Sequence, residues 1–162
     1  MNLTVDVQVA SDGDDNPDPE SIRTWLWSIL DGRVETSRDI EVSVRIVDAA
    51  ESQALNAYYR KKDSATNVLS FPSESSGTSP LNNCPINHLG DIVICDAVVR
   101  REAQEQDKDL RAHWAHMIVH GALHLLGYDH IDDDDATEME NLETQIMADL
   151  AFPPPYQYSH AQ

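Results

Sequence analysis

The chain has 162 residues and a 41% apolar content, enough for one domain with a real core and ordinary for a globular protein. Eleven Lys and Arg against 29 Asp and Glu leave a net charge of −18, which excludes a general polyanion-coating protein, because most of such a surface repels phosphate. Two cysteines, Cys84 and Cys95, exclude a disulfide framework. The opening MNLTVDVQVASDGDD has neither the basic nor the apolar segment of a secretory leader, and the longest nearly apolar run, Met117 to Leu126, is about half a membrane span. An acidic cytoplasmic protein with no membrane attachment is expected.

Leu3, Val5, Val7 and Val9 alternate with polar residues and predict a half-buried strand. After an acidic loop over 11–18, Asp18-Pro19 reads as the cap and first residue of a helix to about Leu30. Ile40, Val42, Val44 and Ile46 repeat the strand pattern, and Asp48-Ala49-Ala50-Glu51 reads as a capping box opening a helix to Arg60. Asn67 to Phe71 predicts a third strand stopped by Pro72; residues 73–88 predict a surface loop, and Gly90 to Cys95 a buried strand. Asp96 is expected to cap a helix to about Gln106, and a further helix is expected from about Asp109 to Leu126, closed by Gly127. The run Asp132–Asp135 lacks the spacing of a calcium loop and reads as N-terminal helix charges; Asp135 or a neighbour is expected to start the last helix, with Met139, Leu142, Ile146 and Leu150 on one stripe. The expected architecture is one α/β domain over residues 1–152, a four-stranded mixed sheet surrounded by helices, followed by a flexible proline-rich tail, 153–162.

Four of the seven histidines, His113, His116, His120 and His124, fall within one twelve-residue stretch. At ~100° per residue they occupy roughly 80° of arc on a helix that is otherwise apolar nearly all round. Any one of them alone reads as a core histidine with a hydrogen-bonded ring. The joint pattern points to a metal, because His120 and His124 are at i, i+4, and a turn at Gly127 can bring in His130 from the side. Three imidazoles leave the fourth tetrahedral position open, as in a catalytic zinc site at the end of a buried helix. The spacing of HGALHLLGYDH is that of the HExxHxxGxxH metzincin proteases with Gly121 in place of the general-base glutamate, so the ligand pattern survives without the peptidase base.

HWAHMIVHGALHLLGYDH, together with LNAYYRKKDSATNVLSFP (Leu55–Pro72) and LGDIVIC (Leu89–Cys95), closely resembles the YbeY family of bacterial rRNA-maturation factors. The resemblance covers most of the chain and implies a zinc-dependent endoribonuclease that cleaves single-stranded RNA in 16S rRNA 3′-end maturation and small-subunit quality control. It implies one zinc per chain on His120, His124 and His130, with Arg60 as the functional arginine near the metal. A 16S rRNA precursor, the small ribosomal subunit, a ribosomal protein of that subunit and the GTPase Era are the implied partners. Many relatives carry Asp where this chain has Asn67, so no carboxylate role carries over there.

Arg60 suits the phosphate, since a guanidinium grips two oxygens at once, and it opens the basic triplet Arg60-Lys61-Lys62; the plainer reading is a cation at a helix C-terminus. Asp129 and Asp91 are candidates to orient a ligand imidazole, helix capping and loop solvation being the alternative. His113 and His116 are expected in structural hydrogen bonds, Cys95 in the core, and Cys84 in a loop without a role. Two rivals remain: a non-catalytic assembly factor with a structural metal, and a metallohydrolase of another substrate, which Gly121 disfavours for peptides.

Overall fold

The computed structural model describes residues 2–34, 39–73, 86–129 and 132–156. His130, Cys84, most of the 73–88 loop and residues 157–162 of the tail lie outside them. In chain order the elements are β1 (Leu3–Val9), α1 (Pro19–Leu30), β2 (Asp39–Val47), α2 (Ala49–Arg60), β3 (Val68–Pro72), β4 (Ile86–Cys95), α3 (Asp96–Glu105), α4 (Leu110–Leu125) and α5 (Asp133–Asp149). The sheet runs β1-β2-β4-β3, with β1, β2 and β4 parallel and β3 antiparallel on the edge beside β4. The expected single α/β domain with a mixed four-stranded sheet is what the chain forms. Among the described residues no helix is long and apolar enough to cross a membrane.

Alternation decides the layers. Ile40, Val42, Val44 and Ile46 of β2, with Ile92 and Ile94 of β4, point to one face and are fully buried against α1 and α4. Val47, Leu69, Val93 and Cys95 point to the other face, where Leu55 of α2 packs on them. The expected cap forms at α1, where Asp18 accepts from the backbone N–H three residues on, and Asp109 and Asp132 cap α4 and α5 in the same way. Two caps differ from expectation. Asp48 accepts from Glu51 N–H at 2.9 Å, but the Glu51 carboxylate turns to Arg45 rather than back to the cap, so the box is only half made. Asp96 caps nothing: it is the first residue of α3, and its buried carboxylate accepts from Ser11 and pairs with Arg100.

α4 is buried on most sides, which places a glycine where its backbone meets the sheet. A Cβ at Gly121 would stand 2.9 Å from Ile92 Cγ2, 3.2 Å from Ser70 Oγ and 3.3 Å from Val68 Cγ2. Ser70 uses the close approach, donating to the Gly121 carbonyl at 3.0 Å. Gly127 then ends the helix at φ 102°, with its N–H on the His124 carbonyl and the Tyr128 N–H on that of Leu123. Gly121→Ala gains about 1 kcal/mol of helix propensity but overpacks a filled interface, which costs typically 1–3 kcal/mol. The expected net result is a lower urea midpoint with an unchanged slope, and a larger drop for Gly121→Glu.

Candidate active site

The four histidines of α4 form the expected stripe, their ring centroids spaced 6.2, 6.3 and 4.6 Å along the helix. The two buried members each rest on a carboxylate. His113 Nε2 lies 2.9 Å from Glu102 Oε1 and His116 Nε2 lies 2.8 Å from Glu143 Oε1, the structural bonds expected of them. A carboxylate can only accept, so these rings donate through Nε2. Burial lowers the His116 pKa despite the acid beside it, which keeps the ring neutral at pH 7.

Glu143 is the partner of the histidine cluster that sequence reasoning missed. It is wholly buried and accepts from His116, from His120 Nδ1 at 3.0 Å, and from the Tyr156 hydroxyl at 2.9 Å. Burial pushes its pKa up, but the hydrogen bonds from His116 and His120 outweigh it and hold the carboxyl at about 2. The signal was available: Glu143 falls on the same stripe of α5 as Met139 and Ile146, and an acid on an apolar helix face calls for a partner. With Nδ1–H donated to Glu143, His120 carries its lone pair on Nε2. That atom faces His124 Nε2 at 3.1 Å, close to the ~3.3 Å separation of two nitrogens each ~2.0–2.1 Å from one tetrahedral zinc ion. The pair could therefore hold a metal, and the chemistry of the donor set fits zinc. Among the described residues no third His, Cys, Asp or Glu joins them, and His130 lies outside those residues.

The histidine pair opens on a cleft of about 520 Å³, walled by Val68 and Ser70 of β3 and by Arg60, Lys62 and Asp129. The wall bearing Arg60 is stapled in place. Buried Ser52 and Asn56 on α2 bond the loop after it, through Thr66 N–H and carbonyl and the Ser64 carbonyl, and Lys61 takes a left-handed conformation at φ 61° to end the helix. Arg60 and Lys62 thereby reach the cleft on either side of the turn. Among the described residues they are the Lys and Arg side chains with neither hydrogen bond nor ion pair; all others are held by acids, carbonyls or hydroxyls. A larger groove of about 840 Å³ lies on the opposite face of the sheet and meets the cleft at Arg60, Ser70 and Pro72. Asp91 sits in that groove beside His88, away from the histidine pair, so Glu143 and not Asp91 orients His120. Asp129 lines the cleft itself.

Asn67 has a role that a carboxylate would spoil. Its Nδ2 donates to Glu102 at 3.1 Å while its Oδ1 accepts the Val68 N–H. Burial raises the Glu102 pKa, but the bonds from His113 and Asn67 bring it below its ordinary value. Asn67→Asp would set two carboxylates face to face, forcing the folded pair to take up a proton. Melting at pH 8 should show a loss of about 1 kcal/mol or more, shrinking at pH 5.5, where the folded variant gains that proton.

The family described as Endoribonuclease YbeY matches residues 8–151 of the chain. The solution structure of TM1509 from Thermotoga maritima shares the fold with a TM-score of 0.55 at 22% sequence identity, over 90% of this chain and 91% of that one. Since the family match runs from within β1 past the end of α5 and takes in both the histidine helix and the Arg60 wall, the chain belongs to the YbeY endoribonuclease family.

Proposed function

We propose that this endoribonuclease is zinc-dependent and cuts single-stranded RNA at the 3′ end of 16S rRNA, in cytoplasmic small-subunit maturation and quality control. Family membership makes it a hydrolase of rRNA maturation with RNA as its partner. The observation that carries the finer reading is the meeting of two cations without an ion pair among the described residues, Arg60 and Lys62, with the converging His120 and His124 nitrogens in one cleft of a chain of net charge −18. His130, five residues beyond the end of α4, completes the ligand set in this reading, giving one zinc per chain.

Bound there, zinc supplies Lewis acidity and a nucleophile ionised near neutral pH. The chain's own residues do the rest. Glu143 keeps His120 in the tautomer that bares Nε2. Arg60 binds phosphoryl oxygens through a two-point fork and stabilises the charge that grows on them, while Lys62 draws the backbone in. Gly121 leaves no carboxylate where a peptidase keeps its base, which disfavours peptides. Screening over ~8–10 Å lets this patch hold a few nucleotides within an acidic surface. A ribosomal protein of the small subunit and the GTPase Era would help recruit the enzyme to its substrate.

RNA cleavage by metal-free and zinc-reconstituted protein, with metal analysis alongside, tests the reading. One zinc per chain is expected, largely lost in His120→Ala, His124→Ala and His130→Ala together with activity; full retention in His130→Ala would refute the three-histidine site. Arg60→Glu should keep zinc content and melting temperature while cleavage falls by about 2 kcal/mol, roughly thirtyfold, with Arg60→Lys also impaired. Wild-type cleavage by Arg60→Glu would reduce the arginine to a helix-end charge. Glu143→Gln keeps an acceptor for both rings but removes the charge, and chelator competition should show zinc bound about 10–100-fold more weakly.

A further inference from the structure

Tyr58 and Tyr59 immediately precede Arg60 and are exposed to 71% and 55%, more than any other described aromatic. Burial explains neither. Among the described residues the Tyr58 ring meets its neighbour edge-on at 4.7 Å and the Lys61 ammonium, 5.9 Å from the ring centre. The Tyr59 ring stands edge-on to Phe71 at 4.9 Å, and both line the sheet-face groove next to Arg60, Ser70 and Pro72, which that groove shares with the histidine cleft. Neither hydroxyl has a hydrogen-bond partner among the described residues. Two rings thus project from a stapled helix end beside three consecutive cations. Asp63, next to the triplet in sequence, accepts from Gln53, and Glu51 in the sheet-face groove pairs with Arg45.

Aromatic faces interleaved with cations are how proteins hold single-stranded nucleic acid: cations track the phosphates and rings stack on bases of any sequence. A duplex cannot use such a surface, because its bases already stack on one another. We propose that Tyr58 and Tyr59, with Arg60, Lys61 and Lys62, form a stacking platform for unpaired bases flanking the phosphate in the histidine cleft, and that this platform makes the site select single-stranded RNA. The inference rests on the RNA reading of the cleft and adds the element that reads strandedness.

The test uses the zinc-loaded full chain and three fluorescein-labelled probes followed by anisotropy: an unstructured oligoribonucleotide, the same strand in a duplex, and the same backbone with abasic sites. The wild type should bind the unstructured strand about tenfold or more tightly than the other two. Tyr58→Ala/Tyr59→Ala should erase that advantage, leave duplex and abasic binding and zinc content unchanged, and raise KM for the single strand more than it lowers kcat. Tyr58→Phe/Tyr59→Phe should restore binding, since the ring rather than the hydroxyl does the stacking. Equal losses on all three probes, or no loss on any, would overturn the platform. Unchanged RNA binding with lost co-sedimentation on small ribosomal subunits would also overturn it and assign the tyrosines to a protein contact. If the wild type binds none of the probes, the RNA reading of the cleft falls, a result distinct from failure of the tyrosine variants alone.

Discussion

Glu143 has no exposed surface and sits where α4, α5 and the C-terminal segment meet. Burying a carboxylate costs several kcal/mol unless donors surround it. Here two imidazoles from α4 and the Tyr156 hydroxyl surround it, so three parts of the chain must dock together for the charge to be tolerated. The start of the tail, for which mobility is expected from its prolines, is held accordingly: Pro155 is buried and its carbonyl accepts from Lys108 Nζ at 2.8 Å. The direction of His120 follows from the same contact, because donating through Nδ1 leaves Nε2 turned to His124.

A second constraint comes from the acidic surface. With 29 acids and 11 Lys and Arg, most cations find an oxygen nearby, and a free cation needs a backbone that holds it away from acids. The buried Ser52 and Asn56 provide that at the end of α2 by bonding the following loop, and left-handed Lys61 separates Arg60 from Lys62. The two cations meet the histidine pair across a cleft whose other wall is the edge strand β3. The local arrangement of charge matters more here than net charge, since fields are screened within ~8–10 Å.

Gly121 connects fold and chemistry. Its missing side chain lets α4 lie against β3 and β4, and Ser70 uses the gap to bond its carbonyl. The residue one step from His120 is therefore committed to packing against the sheet. A glutamate there would meet Ile92, Ser70 and Val68, so the peptidase pattern and this helix–sheet interface exclude one another at that position.

The amino-acid sequence by itself determined the order of the elements, the Asp18 cap, the Gly127 helix end and the histidine stripe, because periodicity, capping and i, i+4 spacing are local properties of a chain. It also carried the family likeness, since HWAHMIVHGALHLLGYDH is a contiguous signature. The tertiary structure alone decided which acid serves which histidine. Glu143 is 23 residues from His120 and Glu102 is 11 from His113, while Asp91, closer in kind to an expected partner, ends on the other face of the sheet. It decided too that Glu51 goes to Arg45 and Asp96 to Ser11, since a side chain with two possible partners follows whichever one packing brings within reach. That Arg60 and Lys62 have no partner among the described residues is of the same kind: it depends on the neighbours in space, and spacing along the chain carries no record of those neighbours.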